Sequence, residues 1–205
     1  MKEIVINIEG EIGKDDNTCE AIQKEIVPYS GMALKVIVNI RSTGGLLDEA
    51  LKIYDYLHWL SELPDIVVET RCFGYTASCG TIIAQAASQN MRGISENSLY
   101  LIHCNTCDVD NGNYKTMEQT RNMLMLKDEH IANIYARHSR GILDTKAAIE
   151  IMEENNGDGY WQKSTEVIPH GLADFIIKAE SCDIPENYRK RGLFYRIRKL
   201  FGCKE

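Results

Sequence analysis

Residues 3–12 alternate with a period of two, Ile4, Ile6 and Ile8 falling on one face and Glu3, Asn7 and Glu9 on the other, which predicts a half-buried strand. Residues 18–27 then place Cys19, Ile22 and Ile26 at helical spacing, and residues 35–40 form a β-branched run suited to a buried strand. Together they predict one βαβ unit. Gly44-Gly45 interrupts the chain before Leu47, Ala50, Leu51, Tyr54 and Leu57 mark the inner face of a helix; Pro64 ends it, and residues 66–72 predict the next strand. Residues 78–87 are small and apolar enough for a fully buried helix, and residues 99–103 read as a strand. Residues 116–138 predict a long amphipathic helix through Met117, Leu124, Ile131 and Ile134, followed by a short helix at 144–152. Strands interleaved with helices predict an α/β layered fold with a mostly parallel sheet, whose sites gather at the carboxyl ends of strands. Residues 42–45, residues 74–78 and His103 are all expected there.

Composition narrows the picture. At 205 residues, 44% hydrophobic and 26% charged, the chain can bury one core, expected over residues 1–178, with residues 179–205 as a tail. No apolar run approaches the roughly 20 residues of a membrane span, and Met1-Lys2-Glu3 opens into a strand pattern instead of a signal peptide, so a cytoplasmic protein is expected. Seven cysteines, an odd number in a chain of this size, read as reduced thiols. The net charge of −7 conceals an asymmetry: residues 189–205 hold seven Lys or Arg against the single acid Glu205, so the body is more acidic than the whole. An acidic body argues against nucleic-acid binding, which needs clustered positive charge.

One constellation suggests chemistry. Gly74-Tyr75-Thr76-Ala77-Ser78-Cys79-Gly80 is a small-residue turn feeding a helix, and His103, 25 residues further on, ends a strand. A serine hydroxyl is a poor nucleophile near neutral pH and needs a base within hydrogen-bond reach; imidazole suits that role. A lone serine in such a helix is usually structural, so the weight falls on its company. His58, His130, His138 and His170 have none and read as surface or helix-packing residues. Cys104 and Cys107 have metal-ligand spacing, but with only His103 adjacent a zinc site is not expected, nor any other metal or cofactor. Met117, Met123 and Met125 fit a core or an adaptable interface, and taken alone they predict core.

Four pieces in order carry a resemblance: Asn39-Ile40-Arg41-Ser42-Thr43-Gly44-Gly45, the Ser78 turn, Leu101-Ile102-His103, and Glu166 with Gly171-Leu172-Ala173-Asp174. Across residues 3–177 the chain resembles the proteolytic subunits of the Clp proteases, ClpP-like serine peptidases with the crotonase-type fold. The resemblance implies a layered α/β body with a long protruding helix, Ser78 as nucleophile and His103 as general base. It also implies an oxyanion hole from the backbone N–H groups of Gly45 and Cys79. The family's usual aspartate position falls on Gly159, and Asp158 stands one residue earlier. A one-residue shift before Trp161 would let Asp158 orient His103; Glu153, Glu154, Asn155 or no acid at all are the other readings.

The resemblance further implies polypeptide substrates, homo-oligomeric stacked rings with the active sites inside, and the 116–138 helix at the ring junction. The first strand begins almost at residue 1, without the family's amino-terminal hairpin, so docking of an unfolding ATPase is a weaker expectation. Cys104-Asn105-Thr106-Cys107-Asp108 replaces the family's Gln-Pro after the histidine. Such a shortened, diverged member resembles the phage and mobile-element branch, which includes capsid-maturation proteases. In the tail, residues 191–201 place Leu193, Phe194, Ile197, Leu200 and Phe201 on one basic helical face, expected to contact a protein partner or a membrane surface. Three readings of function remain: a serine endopeptidase, a catalytically silent scaffold or regulatory subunit, and an acyl-CoA enzyme of the wider crotonase fold.

Overall fold

Strand β1 (Lys2–Glu9) turns Ile6 and Ile8 into the core and leaves Glu3, Val5, Asn7 and Glu9 outside, as its alternation requires. The architecture is that of a computed structural model, which describes residues 1–178. Helix α1 (Cys19–Ile26) starts where the Thr18 side chain accepts a hydrogen bond from the Ala21 N–H at 3.2 Å, and it buries Cys19, Ile22 and Ile26. Strand β2 (Leu34–Arg41) returns parallel to β1 with Val5 opposite Ile37, completing the expected βαβ unit. Helix α2 (Leu47–Ser61) buries Ala50, Ile53, Tyr54, Leu57 and Leu60, and Asp48 and Glu49 in its first turn complement the helix dipole. Strand β3 (Ile66–Cys72) pairs parallel with β2.

From here the elements shorten. Strand β4 (Tyr75–Ala77) leads through Ser78 into α3 (Cys79–Ala84), whose six residues are all buried. The helix stops three residues before the sequence pattern suggests, because Gln85 and Ala86 close tighter turns onto Ile82 and Ile83. Strands β5 (Arg92–Ser95) and β6 (Leu99–Leu101) precede the long helix α4 (Tyr114–His138). Helix α5 (Thr145–Gly157), capped by Asp144, loses helical geometry at Glu154, Asn155 and Asn156. Strand β7 (Gln162–Lys163), helix α6 (Ser164–Val167) and strand β8 (Phe175–Ile177) follow.

Five strands form one wholly parallel sheet in the order β1-β2-β3-β5-β8, and a second sheet runs β4-β6-β7, with β4 and β6 parallel and β7 antiparallel to β6. This is the layered α/β fold with a mostly parallel sheet. Helix α4 buries only Ile131, Ala132, Ile134 and Tyr135, all in its last third, and its first half protrudes with no layer beneath it. The core reading of the methionines is therefore overturned: Met117, Met123 and Met125 are 49%, 53% and 52% exposed. Among the described residues no helix is long and apolar enough to cross a membrane. The basic face at residues 191–201 lies outside the described residues.

Candidate active site

The register of the smaller sheet brings two of the chemical residues together. Ala77 pairs with Leu101, and the Ser78 N–H donates to the Leu101 carbonyl at 2.9 Å, so Ser78 and His103 leave the carboxyl ends of adjacent parallel strands. Ser78 sits at φ +53° and ψ −128°, a conformation costing a non-glycine residue on the order of 1–3 kcal/mol. Its surroundings hold it there. The Ser78 carbonyl accepts from the Thr81 N–H at 2.9 Å and the Thr81 hydroxyl at 2.5 Å, and Thr81 Oγ1 meets the Tyr135 hydroxyl from α4 at 2.7 Å. The hydroxyl of Tyr100 donates to the Thr81 carbonyl and accepts from Gln85, whose Oε1 accepts from Arg92 at 2.6 Å. Arg92 forms a buried ion pair with Asp174 at 2.7 Å. The Gly171-Leu172-Ala173-Asp174 signature thus belongs to a polar network under the Ser78 helix, since Arg92 and Gln85 also donate to the Gly171 and Leu172 carbonyls.

The paired glycines form the opposite wall. Gly44 lies so close to Ser78 that an added Cβ would stand 2.7 Å from the serine Cβ, and an added Cβ on Gly45 would meet the Ile12 carbonyl oxygen at 2.2 Å. Both have positive φ, so only glycine fits. The Gly44 N–H donates to Ser42 Oγ and the Leu46 N–H to the Ile12 carbonyl. Among the described residues the N–H groups of Gly45 and Cys79 have no intramolecular acceptor. They are the donors an oxyanion would need. The Cys79 thiol donates to the Gly45 carbonyl at 3.2 Å; burial raises its pKa, so it remains a thiol and links the two walls.

His103 Nδ1 lies 2.6 Å from the Cys104 carbonyl oxygen. A carbonyl only accepts, so Nδ1 carries the proton and the Nε2 lone pair is free to act as a base. No hydrogen bond joins His103 to Ser78 among the described residues; catalytic contacts in a substrate-free site are often long and tighten on binding.

Asp158 stands across from His103 along the backbone. Strand β6 pairs Tyr100 with Gln162, whereas further along the Cys104 N–H donates to the Gly157 carbonyl at 3.0 Å, so one residue is gained between the two pairings. Relative to the Tyr100–Gln162 register, this puts position 158 instead of 159 in line with His103 along the backbone. The Asp158 side chain is exposed, however, and forms neither a hydrogen bond nor an ion pair with His103. Of the other readings, Glu153 and Glu154 are exposed, and Asn155 donates its side-chain amide to the Gly159 carbonyl at 2.7 Å. Gly159 itself, at φ +65°, is packed so that an added Cβ would stand 2.1 Å from the Ile102 carbonyl oxygen. The backbone leaves no room for an aspartate there.

Two features of the site left no mark in the periodicity. One is the Cys104 carbonyl, a main-chain atom that no side-chain pattern encodes. The other is the anchoring of the following residue: the Asn105 N–H and side-chain amide both donate to Asp128 Oδ1 of α4, at 2.6 and 2.7 Å. Asp128 lies on the polar side of a long helix, where an acid carries no special signal.

A family model described as Clp protease matches residues 1–180. ATP-dependent Clp protease proteolytic subunit 2 of Chlamydia trachomatis serovar D is 27% identical over 142 residues, covering 69% of this chain and 64% of the relative. Proteolytic subunit 1 of Salinibacter ruber is 22% identical over 192 residues, covering 94% of this chain and 78% of the relative. The match to the Chlamydia protein thus spans somewhat under two thirds of that relative's length. With the parallel sheet, the Ser78 turn, the glycine wall and a family model matched over residues 1–180, this chain belongs to the Clp protease family.

Proposed function

We propose that this chain is a serine endopeptidase that cleaves polypeptides inside a ring of identical subunits. Ser78 Oγ attacks the peptide carbonyl and gives its proton to His103 Nε2; the N–H groups of Gly45 and Cys79 stabilise the oxyanion; His103 then protonates the leaving amine. Water, deprotonated by the same nitrogen, releases the acyl group from Ser78. The Cys104 carbonyl, which accepts from His103 Nδ1, holds the base in the tautomer this requires, and the exposed Asp158 has no contact with His103 in this arrangement. The observation that most supports this reading is the strained Ser78 turn between two uncommitted backbone N–H groups. Rings and polypeptide substrates are what the family and the relatives' names suggest, and the exposed first half of α4 is available for subunit contact.

A second reading, a scaffold subunit without turnover, is favoured by the missing Ser78–His103 hydrogen bond and the absence of a carboxylate on His103 among the described residues. A fluorophosphonate probe separates the two. Labelling that disappears in Ser78→Ala supports the peptidase, and an unlabelled wild-type assembly rejects it.

A further inference from the structure

The peptide group joining Cys104 and Asn105 has a partner on each side. Its carbonyl accepts from His103 Nδ1 at 2.6 Å, and its N–H donates to Asp128 Oδ1 at 2.6 Å. The two ends of one amide dipole therefore connect the imidazole to a carboxylate. We propose that Asp128 is the acid that positions His103, acting through this peptide group in place of a directly bonded aspartate.

Three observations support the arrangement. The peptide cannot swing freely: the Cys104 N–H is tied to the Gly157 carbonyl at 3.0 Å, and the Asn105 side-chain amide adds a second bond to the same Asp128 oxygen at 2.7 Å. The conventional position is blocked, because Gly159 has no space for a side chain against Ile102. The charge of Asp128 is also felt at this loop: after burial, it is the largest influence raising the Cys104 thiol to a pKa of about 11, with Glu153 contributing next.

Hydrogen bonds in a chain polarise one another, and a bond to an ionised acceptor is roughly twice as strong as a neutral one. An ionised Asp128 draws the Asn105 N–H, makes the Cys104 oxygen a better acceptor, and so favours the Nδ1–H tautomer and the imidazolium formed during acylation. No proton moves along the relay; the serine proton goes to Nε2 and Nδ1 keeps its own. Asp128 is a positioning residue, and its placement on α4 couples the protruding helix to the base.

The inference rests on the peptidase reading for its kinetic effect, but not for its structural test. Asp128→Asn keeps an acceptor oxygen for Asn105 and loses the charge, whereas Asp128→Ala loses both. On the full-length assembly, kcat for a fluorogenic peptide is expected to fall roughly tenfold in Asp128→Asn, with KM within about twofold. It falls further in Asp128→Ala, while Asp158→Asn stays within about threefold of wild type. The ring-nitrogen NMR signals of His103 are expected to show Nδ1–H in wild type and Asp128→Asn, and a smaller Nδ1–H fraction in Asp128→Ala. Unchanged ring-nitrogen signals in a folded Asp128→Ala protein would overturn the proposal. So would an Asp158→Asn variant that alone abolishes kcat while both Asp128 variants retain it. Because the NMR measurement needs no turnover, the relay can fail or stand whether or not wild type reacts with a fluorophosphonate.

Discussion

Restoring the family's aspartate at position 159 is expected to damage this protein instead of activating it. Gly159 has φ +65°, where a residue with a Cβ pays roughly 1 kcal/mol, aspartate being among the more tolerant. The larger cost is steric. A Cβ would lie 2.1 Å from the Ile102 carbonyl oxygen and 3.1 Å from its carbon, and both are backbone atoms that no rotamer change can move aside. Overpacking of this kind typically costs about 1–3 kcal/mol, so Gly159→Asp should lose about 3 kcal/mol in total. For a chain of 205 residues, at about 2–4 °C per kcal/mol, Tm falls by about 6–12 °C. Gly31→Ala is the control: Gly31 has φ +83° and nothing within 4 Å of an added Cβ, so it isolates the backbone cost at about 1 kcal/mol. Calorimetry of both variants checks the arithmetic. A Gly159→Asp protein melting within about 2 °C of wild type, or gaining peptidase activity, would refute the reasoning.

Two further predictions concern charges buried away from the serine. Against burial, which raises it, hydrogen bonds and charge from Arg92, with Arg140 beyond, hold the Asp174 carboxyl below its ordinary 3.8. Asp174→Asn leaves the Arg92 guanidinium uncompensated and is expected to cost about 3–5 kcal/mol in urea unfolding at pH 7. Because the folded pKa is depressed, this stabilisation is present above the unfolded value and lost as pH falls below about 4, where the two proteins should converge; a constant gap down to pH 2 would contradict it. His138 is also shifted down, from 6.5 to about 4, but toward its neutral form, by burial first and then by His58, Arg92 and Arg137, while its Nε2 meets the Tyr54 hydroxyl at 2.7 Å. The unfolded chain therefore binds a proton at this site between pH 6.5 and 4 that the folded chain refuses, and stability declines as pH falls through that window. His138→Gln should flatten the decline, and unchanged slopes in urea melts across the window would count against the assignment.

The parts of the fold legible in the sequence are those whose physics is local. Thr18 begins α1 because its hydroxyl caps an N–H three residues away, and Pro64 and the β-branched run at 66–72 bound β3 without reference to anything distant. Strands β4, β7 and β8 have two or three residues each, too few for a period to declare itself, and exist because partners far along the chain supply their hydrogen bonds. The methionines of α4 failed for a related reason. Helical spacing says which residues share a face, but whether a layer lies beneath that face depends on how far the helix outruns the sheet.

The site divides along the same line. Ser78 and His103 could be singled out as a hydroxyl at a small-residue turn feeding a helix and a histidine ending a nearby strand, whereas Gly45 and Cys79 come in through the family resemblance. What orients the histidine could not, because it depends on one residue of register gained between the Tyr100–Gln162 pairing and the Cys104–Gly157 hydrogen bond, and on a main-chain carbonyl that every residue possesses. That register shift has a consequence for chemistry. It turns position 159 into a close backbone approach, which only glycine tolerates, and sets Asp158 across from the histidine with its carboxylate toward solvent. With no carboxylate bonded to His103 among the described residues, the proposed relay runs through the loop after the histidine, by way of Asn105 to Asp128. The loop after the histidine and the close backbone approach at position 159 both bear on how His103 is held. Reverting either alone should weaken the hold on His103, and only their joint reversion could transfer it to an aspartate.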